Sequence, residues 1–276
     1  MTSGIQIEPH GVGGMDAVVT GAGRGLGSGI AKALAAAGAH VWMVSELADE
    51  LEHTATEIRD AGGWVKTLVA DLSIPEELHS LTHALRKQAP RLRVLVNNAG
   101  VLERQPVSSI HRDHWNRVMS VNLTAPVFLA RDLLPVLLEQ GGSVVNVSSR
   151  AGVRAFEDQT AYCASKFGIE AFTRCLAREL EGFSVSVNTV TPGLPIKPTS
   201  ITRADVEKTD EQTKRSWSDP IHLGPAFVFL AGLRGTPSGF RFDALTLTNF
   251  LEQHGMEETV DRITEVAQYV PTGLSE

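Results

Sequence analysis

Tyr162 and Lys166 stand four residues apart in a stretch whose apolar positions, Ile169, Phe172, Leu176 and Leu180, recur at helical spacing. Residues four apart are neighbours on a helix surface. A free phenol has a pKa near ~10, too high to exchange protons efficiently at neutral pH. A nearby ammonium favours the phenolate and pulls that value down. The pair is therefore a plausible proton-transfer device, which neither residue is alone. A packed tyrosine beside a solvated lysine would leave the same trace, so the choice falls to the rest of the chain.

A second chemical feature lies near the start. An apolar strand-like run, Asp16 to Thr20, leads into Gly21-Ala22-Gly23-Arg24-Gly25-Leu26-Gly27 and directly into a helical pattern. Glycines let a backbone turn sharply and approach a pyrophosphate, which then rests on the exposed N–H groups of the helix start. A ligand-free glycine turn is the alternative, and the strand before and helix after favour the nucleotide site.

The spacing of Gly21, Gly25 and Gly27 is G-x-x-x-G-x-G, and further motifs follow in order. They are Asn97-Asn98-Ala99-Gly100, Asn122 within Val121-Asn122-Leu123, Ser148-Ser149, Tyr162-Cys163-Ala164-Ser165-Lys166, and Pro192-Gly193. Together these resemble the classical short-chain dehydrogenase/reductase family from residue 20 to residue 193. The resemblance implies an NAD(P)-dependent enzyme that interconverts a secondary alcohol and a ketone. It makes Tyr162 the general acid/base, and Lys166 the group that lowers the phenol's pKa and binds the nicotinamide ribose. Ser149, thirteen residues before the tyrosine, would bond the substrate oxygen while Ser148 packs at the strand end. Asn122 would hold a relay water, or merely satisfy a backbone carbonyl. Cofactor contacts are implied for Gly21, Gly23, Arg24, Gly25, Leu26, Gly27, Ser45, Glu46, Asp71, Leu72, Asn98, Ala99, Gly100, Tyr162, Lys166, Pro192 and Gly193.

The signals for NAD against NADP conflict. Ser45 stands where NAD-preferring relatives carry Asp, and Glu46 where NADP-preferring relatives often carry a base. Arg24 could attract a 2′-phosphate or face solvent. The expectation leans to NAD, because a carboxylate beside a phosphate is costly. Asp71 is expected to contact the adenine or to serve as a cap or turn residue. Two departures from the family pattern stand out. Lys197 occupies the usual threonine spacing after Pro192-Gly193, with Thr199 two later, and Phe242-Asp243-Ala244-Leu245 replaces a Gly-Gly strand end. Leu102, Arg150, Arg154, Phe156 and residues of 194–218 are substrate-pocket candidates. Arg154 would be an anion ligand or, more simply, a solvated loop arginine. His111 and His114 have no partners at metal-ligand spacing, and no metal is expected.

The elements that must position these groups alternate. Strand-like runs at Asp16–Thr20, His40–Val44, Trp64–Val69, Arg93–Val96, Gly142–Val147 and Ser184–Val190 are separated by helical patterns. The helices expected are Leu26–Ala37, Asp49–Ala61, Pro75–Gln88, a long one near His111–Leu138, and Thr160–Glu181. Ser218-Asp219-Pro220 reads as the start of a helix Ile221–Leu233, and a last strand is expected near Phe240–Leu245. This alternation implies a single doubly wound parallel sheet of Rossmann type in three α/β/α layers. The division expected is a lead-in at 1–14, a catalytic domain at 15–245 and an acidic helical tail at 246–276.

The formal charge of −7 among 276 residues, with no basic stripe, argues against nucleic acid or an anionic membrane as a partner. No uninterrupted apolar run approaches the ~18 residues of a bilayer span. Cys163 and Cys175 would sit about 18 Å apart on one helix, too far to bridge, which fits a cytoplasmic setting. The resemblance implies a homodimer or homotetramer through the two long helices. The rival readings are a nicotinamide-binding sensor with vestigial catalysis, and an epimerase or dehydratase that uses transient hydride transfer.

Overall fold

The computed structural model describes residues 11–196 and 203–269. Eight strands form one sheet in the order β3-β2-β1-β4-β5-β6-β7-β8. These are β1 (Asp16–Thr20), β2 (His40–Ser45), β3 (Trp64–Val69), β4 (Leu92–Asn97), β5 (Gly142–Val147), β6 (Val185–Thr191), β7 (Arg241–Asp243) and β8 (Ala267–Tyr269). All neighbours run parallel except β8, which lies antiparallel to β7. The strand order reverses between β1 and β4. In open α/β sheets, ligands bind at the carboxyl ends of the strands flanking such a point.

The central strands are buried on both faces, and their alternate side chains feed two separate cores. Val19, Met43, Val96 and Val145 point to one side. There they meet α1 (Gly25–Ala36), α2 (Ala48–Asp60), α9 (Gly224–Gly232) and α10 (Ala244–Asp261). Val18, Val44, Leu95 and Val187 point to the other. There α3 (Pro75–Gln88), α5 (Ala125–Gln140) and α6 (Thr160–Glu179) cover them. The three-layer, doubly wound arrangement expected from the alternation is the one found.

Three local differences have physical reasons. The long helix expected over 111–138 is continuous from α4 (Arg112–Met119) into α5, but a wide π-type turn, Ser120–Thr124, joins the two. It carries Asn122. Arg112–Gln140 is also long and apolar enough, by length and composition, to cross a membrane. No uninterrupted apolar run revealed this, because its apolar residues are spread among polar ones. Val121, Ala125, Leu129, Leu133 and Leu137 are buried, and the last four belong to the sheet-facing core, so this is a core helix. Finally, the acidic tail is not wholly helical. After α10 and α11 (Ile263–Val266) the chain returns as β8, and Val260, Ile263 and Val266 join the first core. Three residues with period-2 burial are too short a run to announce a strand. Between β6 and α9 lie α7 (Arg203–Lys208), α8 (Glu211–Arg215) and a 3-10 turn, Pro220–Leu223, which Asp219 caps by accepting from the Ile221 N–H at 3.0 Å.

Candidate active site

The glycine turn is held open by contacts that leave no room for side chains. Gly21 has φ +63, and a Cβ there would lie 2.8 Å from the Ala99 Cα. A Cβ on Gly27 would stand 2.1 Å from the Gly21 carbonyl oxygen and 2.5 Å from the Asn98 side-chain nitrogen. The turn is clamped to the end of β4. The Asn98 side chain donates to the carbonyls of Thr20 (2.9 Å) and Gly21 (3.2 Å). The Thr20 hydroxyl accepts from the Asn98 and Ala99 N–H groups, both at 3.0 Å. The Asn-Asn-Ala-Gly segment and the glycine turn thus form one rigid unit.

This unit is the floor of a cleft lined by Gly21, Gly23, Arg24, Leu26, Gly27, Ser45, Glu46, Asp71, Leu72, Asn98, Ala99 and Gly100, all anticipated from the sequence. Arg117, Glu50 and Glu103 also line it and were not anticipated. Arg117 reaches from α4 to both oxygens of Glu46 (3.2 and 3.0 Å) and lies 3.5 Å from Asp71. Its guanidinium is pushed above its ordinary pKa, chiefly by the hydrogen bonds to Glu46. Arg24 pairs with Glu50 at 3.9 Å. Asp71 serves as both a wall and a turn residue, accepting from the Ser73 N–H (2.8 Å) and hydroxyl (2.7 Å). Burial raises its carboxyl, but the Ser73 bonds and Arg117 outweigh that and hold it below the usual range.

A second cavity adjoins the first, sharing Leu26, Asn98, Gly100, Val101 and Leu102 with it. Ser148, Ser149, Tyr162, Lys166 and Pro192 line it, with Val147, Leu194 and Ile196. Tyr162 and Lys166 occupy successive turns of α6, and the ammonium lies 5.7 Å from the phenol ring centre. Lys166 is 4% exposed and donates to the Val147 carbonyl at 2.8 Å. Burial lowers its pKa to about 8. The phenol departs from expectation: burial pushes it above its ordinary value, and the hydrogen bond with Ser149 only partly pulls it back. The ammonium is bound to a carbonyl and faces the ring, so it is not the group that lowers this pKa.

Asn122, Gly25 and Gly193 line neither cavity. Asn122 sits behind the wall. Its carbonyl oxygen accepts from the Val101 N–H (2.8 Å), and its amide donates to the Val101 carbonyl (3.0 Å) and Ser165 hydroxyl (3.1 Å). Both amide hydrogens and one lone pair of the carbonyl oxygen are thus engaged in bracing the wall. Gly25, with φ +55, opens α1, and Gly193 packs on the Asp243 carboxylate, which a Cβ would meet at 2.2 Å. Asp243 also caps α10, accepting from the Thr246 N–H at 3.0 Å, which is why aspartate and alanine stand at this strand end. Of the substrate candidates, Leu102, Leu194 and Ile196 reach the cavity, whereas Arg150 and Arg154 are exposed, Arg154 lying over Phe156. Lys197 and Thr199 fall outside the described residues. His114 pairs with Glu103 at 2.8 Å, and among the described residues no group of side chains could hold a metal ion.

A family model described as short chain dehydrogenase matches residues 16–210. The chain belongs to the short-chain dehydrogenase family. It is 34% identical over 238 residues to a rhamnolipids biosynthesis 3-oxoacyl-[acyl-carrier-protein] reductase of Pseudomonas aeruginosa, covering 80% of this chain and 91% of that protein. It is 31% identical over 224 residues to a D-threitol dehydrogenase of Mycolicibacterium smegmatis, covering 79% and 86%. Among solved structures it is similar to a metagenomic short-chain oxidoreductase in complex with NADP, at 30% identity and TM-score 0.70 over 83% of this chain and 95% of that one. As a member of this family the protein is an NAD(P)-dependent oxidoreductase. The glycine turn, which a Cβ at residue 21 or 27 would block, suits the close backbone approach that such a cofactor requires.

The buried ammonium has a measurable consequence. Below pH 8, Lys166 is charged in both folded and unfolded chains, and its burial cost is present in full. Between about 8 and its ordinary 10.5 the unfolded chain keeps a proton that the folded one has released, so stability rises with pH in that window. The shift corresponds to roughly 3 kcal/mol. Lys166→Met leaves the Val147 carbonyl without this donor, at about 1 kcal/mol. The variant is therefore expected to be more stable than the wild type by roughly 2 kcal/mol at pH 7, with the difference shrinking towards pH 10. Urea denaturation across that range checks this, and a constant difference would contradict it.

Proposed function

We propose that this enzyme moves a hydride between NAD(P) and a secondary alcohol or ketone, with Tyr162 exchanging the proton at the substrate oxygen. The observation that carries this is the convergence of Tyr162, Ser149 and Lys166 in one cavity that runs into the glycine-turn cleft. The bound nicotinamide would supply or accept the hydride, and the glycine turn with Asn98 to Gly100 would hold the cofactor. Ser149, hydrogen-bonded to the phenol, would share the substrate oxygen with it and fix its approach. Lys166, bound to the Val147 carbonyl and facing the ring, would hold the nicotinamide ribose. Asn122 would act through the wall it braces. Leu194 and Ile196, which line the cavity, would contact the substrate. No observation favours the sensor or epimerase readings.

The charges at the ribose end of the cleft support a preference for NAD(H). Glu46, Glu50 and Asp71 face only Arg24 and Arg117 there, and both cations already have carboxylate partners. A 2′-phosphate would meet an excess of negative charge. We also propose a homo-oligomer assembled on the outer faces of α5 and α6, where Phe128, Leu138 and Phe167 are exposed, and a cytoplasmic enzyme. The free Cys163 and Cys175 fit a reducing compartment.

Three measurements test these readings. Tyr162→Phe is expected to lose roughly 10²–10⁴-fold in kcat while NADH affinity holds. A panel of secondary alcohols and ketones with deuterium-labelled cofactor supplies the assay, and a retained rate rules out the proton role. NADH is expected to bind tighter than NADPH by calorimetry. Glu46→Ala, which removes one carboxylate and leaves Arg117 paired only with Asp71, should then improve NADPH binding by about tenfold, or ~1.4 kcal/mol; wild-type NADPH binding as tight as NADH would refute the preference. Phe128→Glu/Phe167→Glu should sediment as a smaller species than the wild type, and an unchanged profile would exclude this interface.

A further inference from the structure

On the same face of α6, one turn beyond Lys166, stands Glu170, 4% exposed and bonded on both oxygens. Oε2 accepts from the Thr189 hydroxyl of β6 at 3.0 Å, and Oε1 accepts from the Ser148 hydroxyl at 2.5 Å and from Arg241 of β7. Arg241, 3% exposed, spreads its fork across the site. Nη1 also donates to the Ser148 hydroxyl at 3.2 Å, Nη2 to the Ser149 carbonyl at 2.9 Å, and Nε to the Gln268 side chain of β8 at 3.1 Å. A carboxylate and a guanidinium are thus buried behind the Ser148-Ser149 strand end. Burying such a pair is costly, and an apolar pair of similar volume is often at least as stable. Stability alone therefore does not account for it. What the fork does that apolar side chains cannot is fix the carbonyl of the residue whose hydroxyl meets Tyr162.

We infer that Glu170 and Arg241 are positioning residues: they hold the end of β5 so that the Ser149 hydroxyl meets the phenol, and they make that geometry depend on the C-terminal β7–β8 segment. This rests on the proposed roles of Tyr162 and Ser149. Among the described residues, the titratable groups facing the phenol are Lys166 and Cys163 of its own helix. The strand end and loops opposite it contribute the Ser148 and Ser149 hydroxyls and apolar side chains. The Ser149 hydrogen bond lowers the phenol's pKa, so a displaced Ser149 should raise it.

The test compares Arg241→Met, Glu170→Gln/Arg241→Met and Arg241→Lys with the wild type. Arg241→Met should lower Tm, because it strands a buried carboxylate, and the double variant should recover most of that loss. Both should still lose roughly tenfold to hundredfold in kcat with cofactor KM unchanged, the scale of a small misplacement of a reacting group. The pH limb of alcohol oxidation set by Tyr162 should move to higher pH in both. Arg241→Lys keeps a cation for Glu170 but not the fork, so it should keep Tm and still lose kcat; it decides the matter if the other two do not fold. A stable double variant, or Arg241→Lys, with wild-type kcat and an unmoved pH limb overturns the inference. If Tyr162→Phe itself retained its rate, the acid/base reading would fail first. An inactive Tyr162→Phe beside a fully active double variant would sink the positioning role alone.

Discussion

The ammonium of Lys166 is buried, and much of the local architecture answers to that constraint. An unpaired buried charge costs several kcal/mol unless hydrogen bonds replace its water. Here the Val147 carbonyl, at the last residue of β5, supplies one such bond at 2.8 Å. That carbonyl is free because β5 ends there and the chain turns away through Ser148 and Ser149. The same bond anchors α6 to the strand end, which fixes Tyr162 one turn earlier. The constraint couples a helix, a strand end and a titratable pair, so none can shift without stranding a charge.

On the other side of the cavity the demand is close approach rather than charge. Gly21 and Gly27 are required because the carbonyl of one lies where a Cβ of the other would be, with the Asn98 amide filling the remaining space. Asn98 therefore ties the glycine turn, on β1, to the end of β4, across the point where strand order reverses. Asn122 does the same for the next wall, holding both backbone groups of Val101 from within a π-type turn. Such a turn widens a helix locally and is common at functional sites. Two asparagines thus brace the cavity wall through backbone hydrogen bonds.

What the sequence made legible follows from the range of the interactions involved. Gly21 to Gly27, Asn97 to Gly100 and Tyr162 to Lys166 are local patterns at strand or helix ends, and the alternation of elements places those ends on one edge of the sheet. Much of the cleft lining was accordingly readable from those local patterns. Arg117 was not, because its meeting with Glu46 spans 71 residues and depends on how α4 tilts over the strand ends. Strand β8 was not either: three residues paired to a three-residue neighbour carry no periodicity. The Tyr162 pKa is raised rather than lowered because burial outweighs the Ser149 hydrogen bond, which the motif does not reveal. Four-residue spacing makes two side chains neighbours, but it does not say whether the ammonium faces the hydroxyl or the ring.

The Glu170–Arg241 pair did leave a trace, though only in hindsight of the fold. A glutamate lies in the buried stripe of α6 between Ile169 and Thr173, and an arginine lies between the buried Phe240 and Phe242. Either charge alone would be a local conflict between pattern and burial, and sequences tolerate such conflicts mostly at functional or strained sites. Opposite signs on two side chains that both meet the Ser148-Ser149 strand end turn two conflicts into one mutual solution. The pair also explains why the chain beyond β7 comes back to the sheet: Gln268 accepts from Arg241 Nε, a donor that neither Glu170 nor the Ser148-Ser149 strand end takes up. The C-terminal strand is therefore tied, through Gln268 and Arg241, to the strand end that carries Ser149.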